Sequence, residues 1–207
     1  KDYNRNEPLV IDPQLVWSTL YGGSSDVIFE AITTDHDGNI FVTGQTSSSN
    51  FPVRYGLTYF DGTLNGGKDA FIVKFNNAGK LLWATYYGGK DDDGGKAISI
   101  DPSGNLFATG YTNSDNFPLQ NAGTYFDSIF EGETDAFILK FTNAGDRLWG
   151  TYYGGSQTPI SDGIDQGESI VTDYSGNVFI TGHAHTANFP VKNAGTYFDD
   201  KLGGDSD

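Results

Sequence analysis

The chain has 207 residues, with 12 Lys and Arg against 27 Asp and Glu, giving a formal net charge of −15. A field of that sign repels a phosphate backbone and an anionic lipid surface alike, and apolar runs such as Ala70 to Val73 and Leu81 to Ala84 stop at four residues where roughly 20 are needed to cross a bilayer, so neither nucleic acid nor membrane insertion is expected. Having no Cys excludes disulfides and thiolate metal sites, having no Met reads as a processed product or a piece of a longer polypeptide, and 28 Gly with 7 Pro lean the composition towards an all-β chain with many tight turns.

Residues 1–14 share no words with the rest and read as an N-terminal extension. From Leu15 onward the same words return at a fixed interval. Trp17, Trp83 and Trp149 are 66 residues apart, as are the Tyr-Gly-Gly words ending at Gly23, Gly89 and Gly155, and as are Asp69-Ala70-Phe71 and Asp135-Ala136-Phe137. Between the second and third copies the interval grows to 72 for Thr109-Gly110 and Thr181-Gly182, which places a six-residue insertion between Gly155 and Glu168.

Each period reads as four short strands with the period-two alternation of a pleated ribbon, and no segment carries a helical stripe. In the middle copy these are Lys96 to Asp101, Asn105 to Thr112, Asp135 to Phe141 and Arg147 to Tyr153. Asp101-Pro102-Ser103-Gly104-Asn105 and Thr142-Asn143-Ala144-Gly145 supply turns, because Pro presets φ and Gly accepts φ > 0. Four antiparallel strands at a fixed period describe the blade of a β-propeller. About three blades fit into residues 15–207, an open part of a larger ring, since propellers usually close with four to eight. Asp207 falls on the first residue of a third strand, so the chain is expected to stop mid-blade.

Several long words now carry a resemblance. Trp83-Ala84-Thr85-Tyr86-Tyr87-Gly88-Gly89, Ala97-Ile98-Ser99-Ile100-Asp101, Gly104-Asn105-Leu106-Phe107-Ala108-Thr109-Gly110-Tyr111-Thr112 and Asp135-Ala136-Phe137-Ile138-Leu139-Lys140-Phe141 resemble the bacterial SBBP β-propeller repeat. The resemblance implies a propeller on secreted or cell-surface proteins, often large multi-domain ones that in Bacteroidota include type IX secretion cargo. It implies no catalytic residues.

The copies serve as an internal control: a residue found in every copy serves the blade, and one peculiar to a single copy is free to serve a site. By that test Trp17, Trp83 and Trp149 are scaffold, and so are Phe51, Phe117 and Phe189 with Tyr59, Tyr125 and Tyr197, which recur in the long connection between second and third strands. These rings are expected to pack that connection onto its blade, the rival reading being an aromatic platform for sugars. Arg54 and Tyr55 vary between copies and are expected to touch a protein or glycan partner, as are Asp91, Asp92, Asp93 and the inserted stretch holding Ile160, Asp162 and Asp165.

The link after each Tyr-Gly-Gly is acidic. If these links gather at one opening, Asp26, Asp92 and Asp162 suit Ca²⁺, and Glu30, Asp92 and Glu168 suit the paired acids of glycoside chemistry, although Lys96 stands at the register of the two glutamates. A solvated acidic rim is the plainer reading, with no cofactor. Asp35-His36-Asp37-Gly38-Asn39 starts like a calcium loop, but its counterparts lose the second carboxylate and it reads as a hairpin turn. His183 and His185 are two apart on one strand, unique to the third copy and without a third metal ligand in view; Gln45 with Ser47 and Tyr111 with Asn113 occupy their places elsewhere. No nucleophile elbow, phosphate-cradling loop or His-Glu-x-x-His word is present. The expectation is a non-enzymatic binding or scaffold segment of a larger surface protein, with a carbohydrate-active enzyme and a passive adhesin spacer as alternatives.

Overall fold

A computed structural model describes residues 15–56, 59–121, 125–156, 163–186 and 188–192. The first sheet orders β1 (Val27–Thr34), β2 (Ile40–Thr46), β3 (Asp69–Phe75) and β4 (Leu81–Tyr87), and the second orders β5 (Asp93–Ile100), β6 (Leu106–Thr112), β7 (Asp135–Phe141) and β8 (Arg147–Tyr153). A third begins with β9 (Asp165–Thr172) and β10 (Val178–Ala184). All pairings between these strands are antiparallel, so among the described residues the chain is two complete four-stranded propeller blades and the inner half of a third. β5 starts three residues earlier than the alternation of Lys96 to Asp101 predicts; Gly94 and Gly95 pair with Tyr111 and Gly110 instead of turning.

Blades stack through their first strands: β5 lies against β1, β2 and β3, and β9 against β5, β6 and β7. That puts the first strands at the hub and the fourth strands at the rim. The core is accordingly shared between blades. Phe41, Ile72, Trp83 and Tyr87 of the first blade pack with Leu106, Phe137, Leu139 and Phe141 of the second, and Phe107 of the second packs with Ile170 of the third.

The recurrent tryptophans form part of this joint. Trp17 Nε1 donates to Asn77 O at 3.0 Å and Trp83 Nε1 to Asn143 O at 3.3 Å, so each indole caps the β3–β4-type turn one blade further along. The turn glycines Gly79 (φ 76°) and Gly145 (φ 101°) lie under those indoles, where a Cβ would meet ring atoms at 3.0 and 3.3 Å. Only glycine takes the left-handed backbone without strain and leaves room for the ring.

Candidate functional site

Each inner strand contains one β-bulge, between Phe29 and Ala31, between Gly95 and Ala97, and opposite Thr181 and Gly182. The extra residues are Glu30, Lys96 and Glu168. A bulge leaves its residue out of the ladder and re-aims its side chain, so one register of all three inner strands projects side chains that the sheet does not need.

Those side chains meet one another and a second register on β2, β6 and β10. Lys96 Nζ reaches Glu30 Oε1 at 2.9 Å, bridging the first two blades with both side chains about a quarter exposed. Beside it Tyr111 Oη donates to Gln45 Oε1 at 2.5 Å, again across the blades. In the third blade His183 Nδ1 stands 3.6 Å from Glu168 Oε1, and both are more exposed. Burial, then the charges of Asp92, Asp93 and Glu30, raise the Tyr111 phenol above its ordinary range, so it stays a hydrogen-bond donor at neutral pH. The result is a strip of mixed charge and hydrogen-bonding groups over the hub, different in every blade.

Among the described residues no group of three His, Cys, Asp or Glu is suited to holding a metal ion. Asp26 and Asp91 are exposed and Asp92 is half-buried, and their backbones are engaged, with Asp26 O accepting from Ser47 N and Asp92 O from Asn113 N at 3.0 Å each. Asp93 and Asp165, expected on a contact surface, are instead fully buried at the starts of β5 and β9, because the blade junction closes over them. Glu30 and Glu168 sit within β1 and β9. Ile160, Asp162 and Tyr197 lie outside the described residues. In the Asp35 turn the carboxylate accepts from Asn39 N and Asn39 Nδ2 at 2.8 Å and from Asn143 Nδ2 at 2.9 Å, which leaves it the geometry of a turn. The backbone N–H of His185 is held by Ile164 O and Asp165 Oδ1, while His183 faces Glu168.

The family model of the SBBP β-propeller repeat matches residues 16–52, 82–118 and 148–190. The chain belongs to this family. Each matched segment runs from a tryptophan word through a first and second strand to the Asn-Phe-Pro loop, so the SBBP match covers the hub strands that carry the polar strip and leaves β3 and β7 outside. Among curated proteins the SBBP chain is similar to an uncharacterized WD repeat-containing protein of Acanthamoeba polyphaga mimivirus, 26% identical over 58% of this chain and 10% of that protein. It is also similar to the regulatory protein FlaEY of Caulobacter vibrioides, 25% identical over 80% of this chain and 16% of that protein. The chain therefore spans less than a fifth of each relative.

Within the SBBP blades the loop phenylalanines Phe51 and Phe117 face inward. Phe51 lies 4.7 Å from Phe71 and 5.8 Å from Tyr86, and Phe117 lies 4.9 Å from Phe137 and 5.1 Å from Tyr87. Phe189 meets Tyr153 edge-on at 4.9 Å, Tyr125 meets the same ring at 5.3 Å, and Trp149 stands 6.3 Å from Phe107. Tyr59 reaches past its own blade to Phe141 of the next, at 5.9 Å. Arg54 is exposed yet pairs with Ala84 through two backbone bonds of 2.9 Å, and Tyr55, 65% exposed, meets Phe60 edge-on. Sequence reasoning missed Arg147. Its guanidinium lies 4.7 Å from the Tyr59 ring centre and donates to Tyr87 Oη at 3.1 Å and Pro118 O at 2.9 Å, clasping the first two blades. Leu81 holds the equivalent place in the first copy, so the comparison of copies had the means to single it out.

Proposed function

We propose that this SBBP chain is a non-enzymatic binding and scaffold module of a secreted or surface-displayed protein, which offers the hub strip and the neighbouring loops to a protein or glycan partner. One observation carries the reading. The packing residues repeat from blade to blade, whereas the hub positions read Glu30, Lys96, Glu168 and Gln45, Tyr111, His183, a substitution pattern that the ladder hydrogen bonds do not require. Further blades of the same polypeptide are partners in the same reading. Phe179 is 55% exposed at the register of Phe41 (0%) and Phe107 (2%), each of which is covered by the following blade.

The test is binding of the labelled chain to glycan and peptide arrays, followed by affinity measurements on the ligands found. Lys96→Ala and Tyr111→Phe each remove one hub group and are expected to weaken binding about tenfold, on the order of one lost charge-assisted or buried hydrogen bond. Unchanged affinity in both, with loss on altering Arg54 and Tyr55 alone, would move the surface off the hub. Labelling of intact cells that carry the full-length protein tests display; a signal only after lysis contradicts it.

A further inference from the structure

Two carboxylates are buried side by side at each blade junction. Where the chain leaves β4 and enters β5, Asp93 N donates to Lys68 O at 2.9 Å, and the next junction repeats this with Asp165 N and Thr134 O at 2.8 Å. These bonds set Asp93 beside Asp69 and Asp165 beside Asp135, all at most 1% exposed. The closeness of each pair is registered at an intervening glycine. A Cβ on Gly88 would stand 2.7 Å from Asp93 Oδ2 and 2.9 Å from Asp69 Oδ1, and one on Gly154 would stand 2.6 Å from Asp135 Oδ1 and 3.1 Å from Asp165 Oδ2.

The surroundings do not neutralise the pairs. Asp69 accepts from Asn65 N and Gly66 N, Asp93 from Gly89 N and Ser114 Oγ, Asp135 from Glu131 N, and Asp165 from Gly155 N, Thr186 Oγ1 and His185 N. Asp93 Oδ1 and Asp135 Oδ1 are buried with no partner in hydrogen-bond geometry, although the Thr112 hydroxyl beside Asp93 favours its charged form. The ionisable groups facing them are mostly further acids and phenols: Asp61, Asp92, Tyr59 and Tyr86 around Asp69, Tyr111 and Tyr152 near Asp93, and Asp127, Glu131, Tyr125 and Tyr152 around Asp135, while Asp165 holds the backbone N–H of His185. None of the ion pairs among the described residues involves any of the four aspartates, and Lys68, adjacent to Asp69 in the chain, joins none. Two buried like charges without a cation are strongly unfavourable, and a proton is the smallest species that relieves them.

We infer that each junction pair, Asp69 with Asp93 and Asp135 with Asp165, shares one proton and so acts as a proton-operated clasp between adjacent blades, closed while one carboxyl is neutral and repelling once both ionise. In the second clasp the proton sits on Asp135, to which a single N–H points, opposite Asp165 with three donors. The first copy is the control: Val27 stands at the register of Asp93 and Asp165, so opening an inner strand does not itself require an acid. Burial in the first place, and after it the facing Asp69 and Asp165, push Asp93 and Asp135 up to about 7, while burial and then the charges of Asp61 and Asp92 push Asp69 up to about 6. A pair titrates as a unit, so the two macroscopic steps belong to the clasp and not to one residue. The folded chain thus holds more protons than the unfolded one above an unfolded aspartate value near 4, and the clasps' stabilisation is complete below that value and lost as pH rises through about 7.

Carbon-13 NMR of the whole chain labelled at the aspartate side-chain carboxyls, titrated from about pH 4 to 9, tests this directly, with Asp69→Asn and Asp165→Asn assigning the signals. Carboxyl midpoints near neutrality, each lost or lowered when the facing aspartate becomes Asn, are the expected result. Urea midpoints of the wild type are expected to fall between about pH 5.5 and 8.5, and the slope to flatten in the double Asn variant. Folded-state midpoints all below about pH 5 in the wild type alone would overturn the clasp, whether or not the variants fold. So would a urea midpoint at alkaline pH that calcium raises and EDTA lowers, which would put a cation where the proton is assigned.

Discussion

Gly95→Ala is the sharpest test of how the blades approach. A Cβ at Gly95 would lie 2.2 Å from Thr43 Oγ1 and 3.2 Å from Gly44 O of the neighbouring blade. Thr43 is 1% exposed and its hydroxyl donates to Phe71 O at 2.8 Å, so it has no free direction in which to retreat. The added methyl must push β5 off β2 or turn the hydroxyl away from its acceptor. Overpacking costs about 1–3 kcal/mol and a broken buried hydrogen bond about 1–3 more, while the lower freedom of the unfolded chain offsets about 0.4–1. The net destabilisation is on the order of 1–5 kcal/mol, roughly 2–20 °C in Tm at this chain length. Urea unfolding followed by tryptophan fluorescence measures it. Thr43→Ala in the same background removes the clashing atom, so the pair is expected to be non-additive by about 1–3 kcal/mol. A Gly95→Ala protein within about 0.5 kcal/mol of wild type, or strict additivity, would refute the close approach. Gly167, whose Cβ would meet Thr109 Oγ1 at 2.1 Å, repeats the experiment at the next junction.

Phe117→Ala empties a ring site shared between Tyr87 of one blade and Phe137 of the next, and is expected to cost about 3–5 kcal/mol in chemical denaturation. Tyr86→Phe removes a hydroxyl that donates to Ser48 O at 2.5 Å and accepts from Phe51 N at 3.0 Å, leaving a buried loop turn short of a partner; the expected loss is about 1–3 kcal/mol by the same assay. Arg147→Gln removes the stack on Tyr59 and the donors to Tyr87 and Pro118, and a fall of about 1–2 kcal/mol is expected. Lys96→Ala breaks the partly exposed pair with Glu30 and is expected to shift stability by less than about 1 kcal/mol, as a binding position and not a packing one should.

The repeat made most of the fold legible, because its period and alternation are local properties of the chain. β7 and β8 run from Asp135 to Phe141 and from Arg147 to Tyr153, the bounds that apolar spacing and turn chemistry predict. The start of β5 was not legible. Gly94-Gly95 carries the signature of a turn, yet glycine stands at Gly95 because Thr43 of another blade occupies the space a side chain would need. The hub strip was half legible: the comparison of copies brings Glu30, Lys96 and Glu168 to one register, but that all three are bulge residues depends on strand offsets no single strand encodes. Asp93 and Asp165 misled for a related reason. In sequence they belong to an acidic link, and only the bonds from Asp93 N to Lys68 O and from Asp165 N to Thr134 O, made between blades, draw them under cover beside Asp69 and Asp135.

The same comparison of copies shows that the two ends of this stack are not equivalent. Where the second and third blades present Gly95 and Gly167 to a threonine of the blade before, the first presents Phe29, which packs on Phe71 of its own sheet at 5.4 Å. Phe29 stands at the register of those glycines and Val27 where Asp93 and Asp165 complete the carboxylate pairs. A blade bearing threonine at the Thr43 register would meet phenylalanine here, where the described junctions present glycine. The face instead holds a groove of about 600 Å³ lined by Trp17, Tyr21, Phe29, Ile32 and Phe75. At the opposite end Phe179 repeats Phe41 and Phe107, and the first strand of another blade fits it by the rules of the existing joints. The stack is thus directional. The joint's register recurs at β10, whereas at β1 phenylalanine and valine replace the glycine and aspartate of the internal junctions and the Trp17 cap is the part of the joint that repeats.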